Sequence, residues 1–84
     1  MQIVIDVHDS VPLTAQLTAQ IRRAVLCDQV SPEDRLPSIR QLANDLELDD
    51  KTVATVYRLL ERDSVIRIEG SRNTFIHPVF WNER

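Results

Sequence analysis

Two apolar patterns of helical period meet with almost no chain between them, and that junction limits the folds open to this sequence more than any other feature. Ile39, Leu42, Ala43 and Leu46 recur at the spacing of one helix face. Ser38 and Gln41 have the S-x-x-Q spacing of a capping box, in which each side chain satisfies the other residue's free backbone N–H. Val53, Val56, Tyr57 and Leu60 mark a second face, opened by Asp49, whose carboxylate suits a helix N-cap. The spacing predicts helices over 38–46 and 49–62. Joined by about three residues, they must cross at a steep angle, with Leu48 as the plug between them. Residues 38–62 therefore read as a helix-turn-helix.

The flanking segments build on that pair. Ile3, Val4, Ile5 and Val7 suggest a short strand or extended arm over 1–11. Pro12 fits the first turn of a helix, having no N–H to leave unpaired, and Leu13, Leu17, Ile21 and Val25, with Ala24, form one stripe of a helix over 12–28. Arg22 and Arg23 fall at its solvent edge. The stretch 29–37 holds two prolines and breaks the helix into an extended connection. Val65 to Glu69 and Thr74 to His77 read as strands around the turn 70–73, a two-stranded wing over 65–77. Pro78 ends it, leaving a short apolar tail over 78–84 in which Val79, Phe80 and Trp81 fold back on the protein or meet a second copy. The expected fold is mainly α with a small β-wing: three helices, a hairpin and a short N-terminal strand.

Length and composition exclude several classes of function. The 84 residues make one small domain, since a chain this short buries only about 60% of its unfolded surface. The single Cys27 has no partner for an intrachain disulfide and reads as a small semi-buried hydrophobe; with no signal peptide and no bilayer-spanning apolar run, the expected location is the cytoplasm. His8 and His77 are far apart, and no CxxC, HExxH, phosphate-binding glycine loop or nucleophile elbow is present, so no catalytic site, metal or cofactor is expected.

Taken in order, Val11 to Leu13, Gln20 to Ala24, Asp34 to Ala43, Lys51 to Glu61 and Arg72 to Ile76 resemble the N-terminal domain of the GntR family of bacterial transcription regulators, in particular its YtrA-like branch. The resemblance spans nearly the whole chain. It implies a winged helix-turn-helix whose third helix enters the major groove of DNA while the wing touches the adjacent minor groove or backbone. By position it implies DNA contacts at Ser38, Arg40, Lys51, Thr52, Arg72 and Asn73. The family commonly adds an effector-binding or dimerisation segment after the wing, whereas this chain ends eight residues after Ile76, so no small-molecule effector site is expected within it.

Two positions depart from the family pattern. Asp49 and Asp50 stand where a small polar residue followed by Arg or Pro is common, and Ser71-Arg72-Asn73 replaces a frequent Gly-Arg-Gly. Asn tolerates the left-handed backbone, so the wing change is mild. The aspartates are a larger change, because carboxylates repel phosphate, although Asp50 could instead accept a hydrogen bond from a cytosine amino group. The net charge is −3, and near the expected surface Arg40, Lys51, Arg58, Arg62, Arg67 and Arg72 are set against Asp45, Glu47, Asp49, Asp50, Glu61 and Glu69. Any attraction to DNA must then come from how the signs are sorted between faces. Two readings stay open at this level: a regulator of double-stranded DNA, dimeric on an inverted repeat, or a winged-helix protein–protein interaction module whose acidic helix meets a protein partner.

Overall fold

The computed structural model describes residues 3–27, 29–30, 34–69 and 73–83. The elements in chain order are α1 (Leu13–Leu26), β1 (Arg35–Leu36), α2 (Ile39–Leu46), α3 (Asp50–Arg62), β2 (Ile66–Glu69), β3 (Asn73–Ile76) and α4 (Pro78–Glu83). This is the expected winged helix-turn-helix; among the described residues it has a fourth helix, α4, and its third strand is β1 instead of an N-terminal one.

The local chemistry at 38–62 is as the spacing predicts. Ser38 Oγ accepts from Gln41 N–H and Gln41 Oε1 accepts from Ser38 N–H, both at 3.1 Å. Asp49 caps α3 by accepting from Lys51 N–H. Between them, Glu47 adopts the left-handed conformation (φ 56°) so that its own N–H reaches Asn44 O and the Leu48 N–H reaches Ala43 O, which satisfies the last carbonyls of α2. Ser64 repeats the arrangement after α3 at φ 58°. Glycine usually fills such positions because it lacks the Cβ that crowds the carbonyl. We expect Glu47→Gly to raise stability by about 0.5–1 kcal/mol, read as the shift in urea midpoint.

Three helices enclose one core. Leu17, Ile21, Ala24 and Val25 of α1, Leu42 and Ala43 of α2, and Val53, Val56, Tyr57 and Leu60 of α3 are buried together with Val65, Ile66 and Ile76 from the sheet side. Leu48 packs against this cluster as the plug of the turn. Tyr57 is buried, and its hydroxyl donates to Pro37 O at 2.6 Å, tying the middle of α3 to the entry of α2. Burial pushes its phenol well above the ordinary value of 10.0, so it stays protonated.

Several sequence expectations need correction. Of the strand or arm expected at the N-terminus, residues 3–6 form the arm and not the strand counted in the expected fold, because their hydrogen-bond partners are side chains and not a neighbouring backbone: Gln20 brackets Val4, and Gln16 brackets Asp6. Helix 1 runs over 13–26, with Pro12 at its N-cap rather than inside it. The third strand is β1, drawn from the proline-bounded connection because β3 offers it an open edge; the sheet is antiparallel in the order β1-β3-β2. The tail is a helix, α4, which returns to the core and packs Phe80 and Trp81 against it. Pro78 begins α4 rather than only ending the wing, in keeping with proline's place in a first turn, and His77 Nδ1 accepts from Val79 N–H. Cys27 also differs from expectation, being exposed at the C-terminal end of α1. No helix among the described residues is long and apolar enough to cross a membrane.

Candidate nucleic-acid interface

The side of α3 turned from the core carries a regular arrangement of charge. At about 100° per residue, Lys51, Thr55, Arg58 and Arg62 fall within about 60° of arc, opposite the buried face. All four are exposed. Asp50 and Glu61 lie about 60–80° beyond one edge of that stripe. The stripe is thus cationic along its length, and the acidic residues border it. Thr55 Oγ1 donates to Lys51 O at 2.9 Å, holding the threonine along the helix. Arg62 Nε is 3.4 Å from Asp63 Oδ1, an exposed pair that constrains the arginine little.

The start of α3 and the exposed side of α2 share an open cleft lined by Arg40, Gln41, Asn44, Glu47, Leu48 and Asp50, among others. Arg40 is exposed, and among the described residues no ion pair ties it to Asp45 or Glu47. Its guanidinium can therefore turn outward. Asp49 and Asp50 divide two tasks. The Asp49 carboxylate is engaged in the cap, whereas Asp50 is exposed and its carboxylate accepts no hydrogen bond within the described residues.

The expected contact residues occupy three places. Ser38 sits at the N-terminus of α2, where its N–H already donates to Gln41, so a phosphate reaching that N–H has to displace the glutamine amide. Lys51 is exposed and Thr52 half-buried in the first turn of α3. Asn73 is exposed at the start of β3, paired in register with Glu69. Arg72 lies outside the described residues. The structure brings Arg40 and Asp50 to one cleft, while Asn73 stands apart on the sheet.

The sequence reading passed over Thr55, and it set Arg58 and Arg62 near the expected surface without naming them as contacts. Their shared face was readable as the polar complement of Val53, Val56, Tyr57 and Leu60. Arg35 was also missed. Its Nη1 donates to Asn73 Oδ1 at 3.3 Å, across 38 residues of sequence, and no local spacing foretells that contact.

Comparison with known proteins bears on this geometry. The model of bacterial regulatory proteins of the gntR family matches residues 13–76. The HTH-type transcriptional repressor YtrA of Bacillus subtilis is 35% identical over 72 residues, covering 86% of this chain and 55% of that protein. The chain thus spans little more than half the length of that relative. Among solved structures, YtrA from Sulfolobus acidocaldarius, a GntR-family transcription factor, superposes with a TM-score of 0.84 at 31% identity, covering 96% of this chain and 86% of that one. The DNA-binding domain of AraR, solved in complex with operator ORX1, shares the fold with a TM-score of 0.77 at 15% identity, over 90% of this chain and 95% of that one. With matched residues running from the first turn of α1 to the end of β3, and with the helix-turn-helix and wing both present, the chain belongs to the GntR family of bacterial regulatory proteins.

Proposed function

We propose that this chain binds double-stranded DNA as the DNA-binding domain of a GntR-type transcription regulator, placing α3 in the major groove and the wing beside it. The observation that carries the reading is the exposed stripe of Lys51, Thr55, Arg58 and Arg62, which gives an acidic protein one cationic helix face. A helix of this kind fits the major groove, where arginine and lysine contact guanine edges and phosphates. Arg40 adds a contact from α2, Ser38 one from its N-terminus, and Thr52, Arg72 and Asn73 extend the surface to the groove wall and wing. Asp50 stands at the border and sets what the helix start tolerates. On this reading the protein acts in the cytoplasm, by occupancy rather than catalysis, as a homodimer on an inverted repeat.

Fluorescence anisotropy of a labelled duplex titrated with the protein tests the proposal. At about 50 mM salt, binding is expected even to arbitrary sequence, and log K should fall linearly with log salt, by about 0.9 per phosphate neutralised. Absence of binding at that salt would overturn the reading. Selection from a random-sequence duplex pool then identifies the preferred site, and two-fold symmetry in the selected sequence is the expected sign of a dimer.

A further inference from the structure

The face of the sheet turned away from the core carries a row of residues that belongs to no single segment. The strand register sets Arg35 opposite Phe75 and Phe75 opposite Arg67, so the three side chains lie side by side across β1, β3 and β2. Leu36, Thr74, Ile66 and Ile76 alternate with them and are buried, which leaves the row outward. Arg67 is held in place, its guanidinium 4.6 Å from the centre of the Phe75 ring and ion-paired with Glu69. Arg35 goes elsewhere. Its guanidinium leans diagonally along the sheet to Asn73, the first residue of β3.

That direction leads toward the interface. β1 runs from Arg35 through Leu36 and Pro37 into Ser38, the cap of α2, while β3 begins at Asn73; because the two strands are antiparallel, Ser38 and Asn73 mark the same end of the sheet. A guanidinium drawn to Asn73 is thus carried from the middle of the outer face toward the end where α2 starts and β3 begins, the end of the wing remote from α3. Both residues are exposed. Arginine presents five N–H donors in a fixed fork. Engaging one of them with the Asn73 carbonyl oxygen orients the fork and leaves other donors for an anionic acceptor.

We infer that Arg35 is a further DNA-backbone contact, a guanidinium supplied by β1 and aimed by Asn73 at a phosphate beside the wing. The inference rests on the proposed binding of duplex DNA. A phosphate contact carries no base information, so Arg35 fixes the angle of the wing against the duplex and adds affinity equally for all sequences.

The test is a salt series of anisotropy titrations on a labelled duplex, comparing the unmodified chain with Arg35→Gln, Arg35→Lys, Lys51→Gln and Arg23→Gln. Arg23 is exposed in the last turn of α1 and serves as the control for a charge removed elsewhere. Arg35→Gln is expected to lower affinity several-fold at low salt and to reduce the log–log salt slope by about one, as loss of a phosphate contact does. Arg35→Lys should restore the slope but not the full affinity, since an ammonium lacks the fork. A slope unchanged in Arg35→Gln but reduced in Lys51→Gln would overturn the inference and leave DNA binding standing. Equal effects from Arg35→Gln and Arg23→Gln would overturn it as well, reducing the effect to net charge. If the unmodified chain fails to bind at low salt, both readings fall. A thermal melt of Arg35→Gln confirms that the folded state is retained.

Discussion

Asp50→Asn is expected to tighten binding to every duplex by roughly tenfold at low salt, with the gain shrinking as salt rises. The reason is a like-charge contact that the rest of the interface has to overcome. A carboxylate about 6–8 Å from a phosphate, at an effective dielectric of about 20, opposes binding by roughly 2 kcal/mol before screening, and salt at 0.1 M removes about half of that. Asp50 is the residue to change because it is exposed and its carboxylate has no hydrogen-bond partner among the described residues, whereas Asp49 holds the Lys51 N–H. Losing the charge next to the α3 N-terminus lowers stability by only about 0.3–1 kcal/mol, so the folded protein remains available for the titration. Anisotropy with several unrelated duplexes separates two mechanisms. A uniform gain means that Asp50 repels backbone, and a loss confined to sites with cytosine at one position means that it reads that base. Unchanged affinity for all duplexes would remove Asp50 from the interface.

The second large effect lies inside the fold. Tyr57→Ala is expected to destabilise the protein by about 3–5 kcal/mol, comparable with the whole stability of a domain this small. Tyr57→Phe keeps the ring and leaves only Pro37 O without its donor, a loss of about 1–3 kcal/mol. Urea unfolding followed through Trp81, the single tryptophan, gives both numbers. An alkaline titration supplies a further signature. The phenol is raised in the folded state, so the folded protein binds its proton more tightly than the unfolded chain does. Its contribution is complete below pH 10.0, the ordinary value, and is lost progressively above it. Tyr57→Phe should flatten that alkaline decline. An equal decline in both proteins would show that the phenol is not the group responsible. Because Pro37 precedes Ser38 and Arg40, the same hydroxyl also sets where α2 lies against α3, and Tyr57→Phe should weaken DNA binding by more than its loss of folded population explains.

What could be read from residues alone follows from how local the chemistry is. The helix-turn-helix was legible because caps, apolar spacing and the short turn all act within a few residues of one another. β1 was not, since Arg35 and Leu36 become a strand only when β3 lies beside them. Nor was the seat of α4, where Arg22 pairs with Asp63 Oδ2 at 3.0 Å and lies 5.9 Å from the Phe80 ring centre, joining three segments remote in sequence. At the interface, the exposure of Arg40, Asp50 and Lys51 follows from helix phase and could be anticipated. The sorting of charges on α3 follows from the same phase, which separates signs that composition only counts. The net charge of −3 is therefore no obstacle to a cationic face on α3.

The arm along α1 has a consequence of its own. Four residues of helix advance about 6 Å and two residues of extended chain about 6.6–6.8 Å, close enough for two rungs to match. Gln16 and Gln20 exploit that near-coincidence. Each primary amide offers a carbonyl and an N–H, as a peptide group does, so the pair imitates a neighbouring strand for Asp6 and Val4 while Ile3 and Ile5 lean on the core. The path of the N-terminal residues is thus written on the helix, in side chains that a polarity pattern assigns to solvent. A change at Gln16 or Gln20 would leave α1 intact and release the segment laid across it.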